Sequence, residues 1–160
     1  MVTTKMERLD ELAQLLVDVV EDGASVGFLP PLSLTEAADY WRSAIDPDVS
    51  LIIATVDNHV AGTVQVQYSV KANGAHRAEI AKLMTSPKYR RRGIARALMQ
   101  EAERIAKERG ISLLVLDTRE GDPSNKLYQS MGYVAAGSIP EYARSADGGL
   151  HATNFYYKKL

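Results

Sequence analysis

The chain has 160 residues, of which 46% are hydrophobic, with a formal net charge of −1 at pH 7 and no cysteine. These values are typical of one domain with a buried core, so we expect residues 1–160 to form a single domain. They exclude disulfides, thiolate metal sites and an acyl-cysteine mechanism, and they argue against nucleic-acid or membrane binding driven by overall charge.

Two helices are predicted at the start of the chain. Apolar residues recur at helical spacing from Leu9 to Val20, and Gly23 ends this first helix. Ser33 with Glu36 three residues later forms a capping box that opens a second helix.

Three strands follow, at 51–56, 60–68 and 77–85, the first two joined by a hairpin turn. Lys82 interrupts the apolar pattern of the third strand. The second half of the chain predicts, in order, a helix, a buried strand, a helix and two strands separated by a polar loop, at 93–109, 113–117, 123–132, 133–139 and 153–159.

No apolar run approaches the roughly 20 residues that cross a bilayer. The N-terminal residues lack the apolar segment of a signal peptide. We therefore expect a cytoplasmic protein.

The strand at 77–85 leads through a tight turn, with the run Arg90 to Ala95, into the next helix. Such a turn gathers free backbone N–H groups at the positive end of a helix dipole, which suits phosphate binding. Gly93 and Ala95 leave room for a pyrophosphate to approach the main chain. A short arginine run alone is more typical of a solvated basic turn, and it is only weak evidence for a nucleic-acid patch in a chain of net charge −1. The Walker A and GxGxxG patterns are absent.

The spacing Arg90-x-x-Gly93-x-Ala95 resembles the Q/R-x-x-G-x-G/A signature of the GNAT superfamily of N-acetyltransferases. The resemblance covers most of the chain. It implies an α/β fold, with a central mixed, mostly antiparallel twisted sheet of about six to seven strands flanked by about four helices. It also implies acetyl-CoA as cosubstrate without a metal. The residues that it implies to hold the coenzyme are Leu83, Met84, Arg90, Arg91, Arg92, Gly93, Ile94, Ala95 and Arg96.

A second motif lies in the segment NKLYQSMGY, where Asn125, Tyr128, Gly132 and Tyr133 match the looser GNAT pattern N-x-x-Y/F-x-x-x-G-F/Y. Asn125 and Tyr128 are three residues apart and share a helix face. The resemblance implies that both contact the coenzyme and that Tyr128 protonates the leaving thiolate. The alternative is that Tyr128 packs against the sheet and Asn125 lies on the surface.

Transfer to an amine needs a base, because an ammonium group cannot attack a thioester. The two candidates are Glu79, on the strand before the turn at residues 90–95 (the phosphate loop), and Asp117, at the end of a buried strand. Either could instead be a solvated or locally capping residue. The segments RAEIAKLM, RRRGIARALM, LLVLDTREGD and LYQSMGY together resemble the tabtoxin-resistance acetyltransferase branch, which implies Glu79 and Asp117 as bases, Tyr128 as acid, and direct attack in a ternary complex.

The acceptor pocket is predicted from aromatic residues in the first two helices and the C-terminal region, although such residues more often belong to a core. The candidates are Phe28, Tyr40, Trp41, Tyr142 and Tyr156, with His151 nearby. The favoured function is acetylation of a small, for example amino-acid-like, amine. The alternatives are a protein N-terminal or lysine acetyltransferase and a non-catalytic acyl-CoA-binding module. Edge strands near the C-terminus favour a homodimer.

Overall fold

The structure, a computed structural model, describes residues 5–160, and within them it contains four α-helices and six β-strands in the predicted order. The helices are α1 (Leu9–Glu21), α2 (Leu34–Ala44), α3 (Ile94–Glu108) and α4 (Ser124–Ser130). The strands are β1 (Val49–Val56), β2 (His59–Tyr68), β3 (Arg77–Thr85), β4 (Leu113–Arg119), β5 (Val134–Arg144) and β6 (Leu150–Lys159).

The six strands form one mixed sheet in the order β1-β2-β3-β4-β6-β5. Only β3 and β4 pair in parallel, and the other four neighbouring pairs are antiparallel. The predicted fold class is therefore confirmed. None of the helices within residues 5–160 is long and apolar enough to span a membrane.

Apolar layers cover both faces of the sheet. Ile52 packs in the cluster that includes Leu98 of α3, whereas its neighbour Ile53 packs in the cluster that includes Leu16 of α1. Successive strand residues point to opposite faces, so the helices lie on the two sides of the sheet. Ser33 caps α2 as predicted, since its Oγ accepts a hydrogen bond of 3.1 Å from the Glu36 N–H.

A bulge in β3 opens the sheet at its centre. Between Thr63 and Gln65 the β2–β3 register shifts, and Lys82 adopts a left-handed φ of 52°. The Thr63 hydroxyl donates to the Lys82 carbonyl at 3.0 Å and fixes this irregular turn of the chain. Since a bulge bends the strand that carries it, β3 turns away from β4. The parallel pairing covers only three residue pairs and ends at Glu79 and Val115.

The C-terminal hairpin is longer than predicted. Residues 140–144 and 150–152, predicted as part of a polar loop, extend β5 and β6 and leave only 145–149 as the turn. The Ser145 N–H closes it by donating to the Gly149 carbonyl at 2.8 Å. The prediction was wrong here because almost the whole of β5 is exposed, so its pairing depends on backbone hydrogen bonds and not on an apolar face.

Candidate active site

A cleft of about 340 Å³ opens where β3 and β4 separate, and all three predicted catalytic residues line it. Glu79 is the last residue of β3 that pairs with β4. Asp117 lies two residues beyond Val115, the partner of Glu79, on the diverging strand. Tyr128 reaches the cleft from α4. The fork in the sheet thus brings together two carboxylates and a phenol from three separate elements.

The two carboxylates differ in their surroundings. Burial raises the pKa of Glu79, and the nearby charge of Asp117 raises it further, while the Lys82 ammonium opposes both effects. Asp117 Oδ2 accepts a hydrogen bond of 2.8 Å from the hydroxyl of the buried Thr153 on β6. Glu79 therefore binds a proton more readily than an ordinary glutamate, and Asp117 is oriented by a hydrogen bond.

The Tyr128 hydroxyl is set up as a proton donor. The ring is buried and packs edge-on to Tyr133, with centroids 5.7 Å apart. Burial, followed by the charges of Asp122 and Asp117, raises the pKa of Tyr128 above its ordinary value, so the phenol stays protonated. Among the described residues this hydroxyl forms no hydrogen bond, which leaves it available to a group in the cleft.

Lys82, which the sequence pattern marked only as an interruption, is a charged residue of the same cleft. Its Nζ lies 5.5 Å from the ring centroid of Tyr40 and 5.9 Å from that of Phe28. Burial lowers the pKa of Lys82, and the charges of Glu79 and Asp117 partly restore it. The interrupted apolar pattern was the available signal, because a bulge places its extra residue outside the alternation.

The effect of the Lys82 charge on the pKa of Glu79 can be tested by substitution of Lys82. In Lys82→Met we expect the pKa of Glu79 to rise, since an opposing positive charge is lost. The limb on which kcat/KM increases with pH then moves to higher pH, as measured in full pH profiles. Lys107→Met, in the last turn of α3, is the control and should leave the profile in place. Identical profiles for both variants would show that Lys82 does not act on Glu79.

The predicted phosphate loop leads directly into α3, whose N-terminus has no side-chain cap. Gly93 precedes α3 in a left-handed conformation with φ of 72°, and Arg91 has a φ of 62°. No side chain caps the first N–H groups of α3. A Cβ added at Gly93 would meet no atom within 4 Å. Alternating left-handed residues before a free helix N-terminus form a concave set of N–H donors, so the loop fits a pyrophosphate.

Three arginine side chains in or next to the phosphate loop, those of Arg90, Arg92 and Arg96, contact other residues of the protein. Arg90 forms an ion pair with Asp22 at the end of α1. Arg92 stacks on Tyr89 at 5.5 Å, and Arg96 donates to the Ser130 hydroxyl at 2.8 Å. Backbone donors, and not these side chains alone, therefore define the loop's capacity to bind phosphate. Of the two strand residues, Leu83 lines the cleft and Met84 is buried against α1.

The side-chain amide of Asn125 forms four hydrogen bonds inside the protein. Its Nδ2 donates to the carbonyls of Arg119 at 2.9 Å and Asp122 at 2.8 Å. Its Oδ1 accepts from the Tyr156 hydroxyl at 2.8 Å and from Asn154 at 3.0 Å. With both N–H donors used inside the protein, the side chain braces the start of α4 against β6. These bonds use the amide N–H donors on the turn before α4, and the predicted coenzyme contact of Asn125 stays a prediction.

The predicted substrate residues divide into cleft and core. Tyr142 lines the main cleft and is 51% exposed, and Phe28 lines an adjoining cavity. Trp41 is only 1% exposed, and its Nε1 donates to the Leu12 carbonyl at 2.8 Å. It belongs to the core between α1 and α2, so its predicted contact with substrate is corrected. Tyr156 is also buried and contacts α4 through Asn125 and Gln129.

Comparison with known proteins identifies the family. A model of the acetyltransferase (GNAT) family matches residues 9–133. The chain belongs to the GNAT family of acetyltransferases. A relative, the uncharacterized N-acetyltransferase in the hisH-hisA intergenic region of Azospirillum brasilense, is 29% identical over 121 residues, which cover 74% of this chain and 72% of that protein.

Solved GNAT structures share the fold. An N-acetyltransferase from Staphylococcus aureus Mu50 superimposes with a TM-score of 0.86 at 18% identity, over 99% of this chain and 96% of that one. A putative acetyltransferase from Salmonella typhimurium, solved with acetyl-CoA, gives a TM-score of 0.83 at 13% identity, over 100% and 92%. This chain, as a member of the GNAT family, is an acetyl-CoA-dependent acyltransferase, as predicted. Within residues 5–160 no group of His, Asp or Glu side chains could hold a metal ion.

Two glycines at opposite ends of α3 offer a matched test of the phosphate loop. Gly93 and Gly110 both have left-handed φ values, and a Cβ at either would meet no atom within 4 Å. Alanine at each should therefore lower the free energy of unfolding by about 1–2 kcal/mol. Only Gly93→Ala should also weaken coenzyme A binding, by about tenfold if a phosphate contact worth about 1.4 kcal/mol is lost. Calorimetric titration checks this, and equal affinities in the two variants would contradict the assignment.

Proposed function

We propose that this GNAT enzyme, as a single domain of residues 1–160, moves the acetyl group of acetyl-CoA to the primary amine of a small molecule. The observation that carries the proposal is the cleft at the β3–β4 fork, which holds Glu79, Asp117 and Tyr128. Residues 24–27 and 142–143 also line this cleft, whose volume of about 340 Å³ falls in the range of small-molecule sites. A cleft of this size favours a small acceptor over a polypeptide, which needs a long groove.

The amine is activated by a carboxylate of the cleft. We assign Glu79 as the base, because burial and the charge of Asp117 raise its pKa and so strengthen its affinity for a proton. Asp117, oriented by Thr153, attracts the acceptor ammonium into the cleft before that proton is removed. The neutral amine can then attack directly, with no acyl-enzyme, consistent with a chain that has no cysteine.

The leaving sulfur is protonated by Tyr128, which also lines the cleft. Tyr128 carries a protonated phenol without a competing hydrogen-bond partner among the described residues. It can donate its proton to the thiolate as the carbon–sulfur bond breaks. Acetyl-CoA supplies the activated acetyl group, and the backbone of residues 91–96 would hold its pyrophosphate. The motif positions occupied by Glu79, Asp117 and Tyr128 also support a place for this chain in the tabtoxin-resistance branch.

A release assay for free thiol tests the proposal. The protein is supplied with acetyl-CoA and a panel of small amines, N-terminal peptides and lysine peptides, with acceptor-free reactions as blanks. We expect thiol release with small amines and no comparable release with peptides. Peptide turnover alone would favour the protein acetyltransferase alternative. Tight coenzyme A binding without turnover of any acceptor would favour a non-catalytic binding module.

A homodimer also stays a prediction. β5 is an edge strand of the sheet and is exposed along nearly its whole length. A second copy could pair with its free backbone groups. Sedimentation or light scattering at several concentrations would test this.

A further inference from the structure

A second cavity of about 240 Å³ adjoins the catalytic cleft and carries the opposite charge. It shares part of its wall with the cleft, in residues Ala24, Ser25, Gly27, Arg119 and Ala143. Arg119 and Arg144 are the charged residues of its described lining, which includes no aspartate or glutamate. The cleft therefore presents the carboxylates of Glu79 and Asp117, and the adjoining cavity presents the guanidinium groups of Arg119 and Arg144.

Arg119 lies on β4, the strand that carries Asp117. It lies two residues after Asp117 on β4, and both residues line the cleft. Strand residues two apart share a face, with about 6.6 Å between their Cα atoms. One small molecule can therefore reach from the carboxylate of Asp117 to the guanidinium of Arg119.

Both arginines retain hydrogen-bonding capacity. Arg119 donates to the Ser145 hydroxyl at 3.3 Å and lies 3.7 Å from Asp122 Oδ1. The other oxygen of Asp122 accepts from the backbone N–H and hydroxyl of Ser124, so this carboxylate is occupied with the start of α4. Arg144 donates to the Gly148 carbonyl at 2.7 Å. Because a guanidinium group has five N–H donors, each arginine has several left for an anion.

We infer that Arg119 and Arg144 form an anion subsite, and that the acceptor is an amine that also carries a carboxylate, as an α-amino acid does. The inference rests on the proposed function, because it names the substrate class for the same cleft. The ammonium of such an acceptor would lie near Glu79 and Asp117, and its carboxylate would accept hydrogen bonds from the two arginines. A carboxylate matches the planar fork of a guanidinium, which an uncharged amide cannot do equally well.

Paired acceptors test the inference. We would measure kcat/KM for a panel of L-amino acids and the corresponding α-amides, with the wild type, Arg119→Gln and Arg144→Gln. The control is Arg104→Gln, an exposed arginine of α3 that pairs with Glu101 and Glu108. Because each acceptor is compared between enzymes, the different reactivity of acid and amide amines cancels. Arg144 lies on an exposed part of the hairpin, so its variant should fold even if Arg119→Gln does not.

We expect Arg104→Gln to match the wild type on both kinds of acceptor, and each subsite variant to lose about tenfold in kcat/KM on the acids with little change on the amides. An acid-to-amide ratio of kcat/KM that is the same in the wild type and in both subsite variants would overturn the inference.

A binding experiment separates this inference from the proposed function. N-acetylglycine and N-acetylglycinamide are titrated into the coenzyme A-saturated protein and followed by NMR, which requires no turnover. Binding of the acid that weakens about tenfold in Arg144→Gln, with unchanged affinity for coenzyme A, supports the subsite even if no acceptor is acetylated. Equal binding of the two probes, or weakened coenzyme A binding in Arg144→Gln, overturns it.

Discussion

Replacing Tyr128 with phenylalanine should lower kcat for acetyl transfer by about 10²–10⁴-fold, with little change in KM for acetyl-CoA. The ring would still fill its place beside Tyr133, so folding and coenzyme binding should persist. What disappears is the proton donor for the leaving thiolate, which matters only as the carbon–sulfur bond breaks. An effect confined to kcat is the signature of a group that acts in the transition state.

Tyr133→Phe is the matched control. Its hydroxyl is buried in the same aromatic cluster, but Tyr133 does not line the cleft. Steady-state kinetics with both variants would show a large loss of kcat only for Tyr128→Phe. If kcat stays within about twofold of the wild type there, another donor or water protonates the sulfur and Tyr128 has a packing role.

The second large effect is expected at Glu79. Glu79→Gln should lower kcat/KM by about 10²-fold or more and remove the limb on which activity rises with pH, because the base is lost. Asp117→Asn should instead keep a rising limb but move it to lower pH, with a higher KM for the amine because the charge that attracts the ammonium is lost. The neighbouring carboxylate raises the pKa of Glu79, so its removal lowers that pKa. The shift is opposite in sign to the one expected for Lys82→Met.

The pH profiles of kcat/KM for the wild type and these two variants check the assignment. Glu101→Gln, which changes a carboxylate of α3 that pairs with Arg104, is the control because Glu101 does not line the cleft. If Asp117→Asn loses the rising limb and Glu79→Gln keeps it, the base is Asp117. Wild-type rates in both would mean that a free amine binds without a protein base.

Much of the fold follows from patterns that act over a few residues. The amphipathic repeat of α1, the Ser33 cap of α2 and the left-handed glycine before α3 each depend on neighbours within about one turn. The hairpin of β5 and β6 was the exception, because β5 is exposed along almost its whole length and has no buried apolar face. Its length depends on backbone pairing between residues as distant as Ala143 and His151, which composition does not reveal.

The sequence by itself determined the order of elements, and it predicted a phosphate-binding turn at Gly93 and, through the family resemblance, the candidate trio Glu79, Asp117 and Tyr128. Only the tertiary structure decided how side chains outside these motifs are used. It placed Lys82 at the fork, turned Asn125 inward, buried Trp41 and brought Arg119 and Arg144 to one cavity. The physical reason is that local signals set backbone conformation, whereas the lining of a cavity depends on contacts between strands and loops distant in the chain.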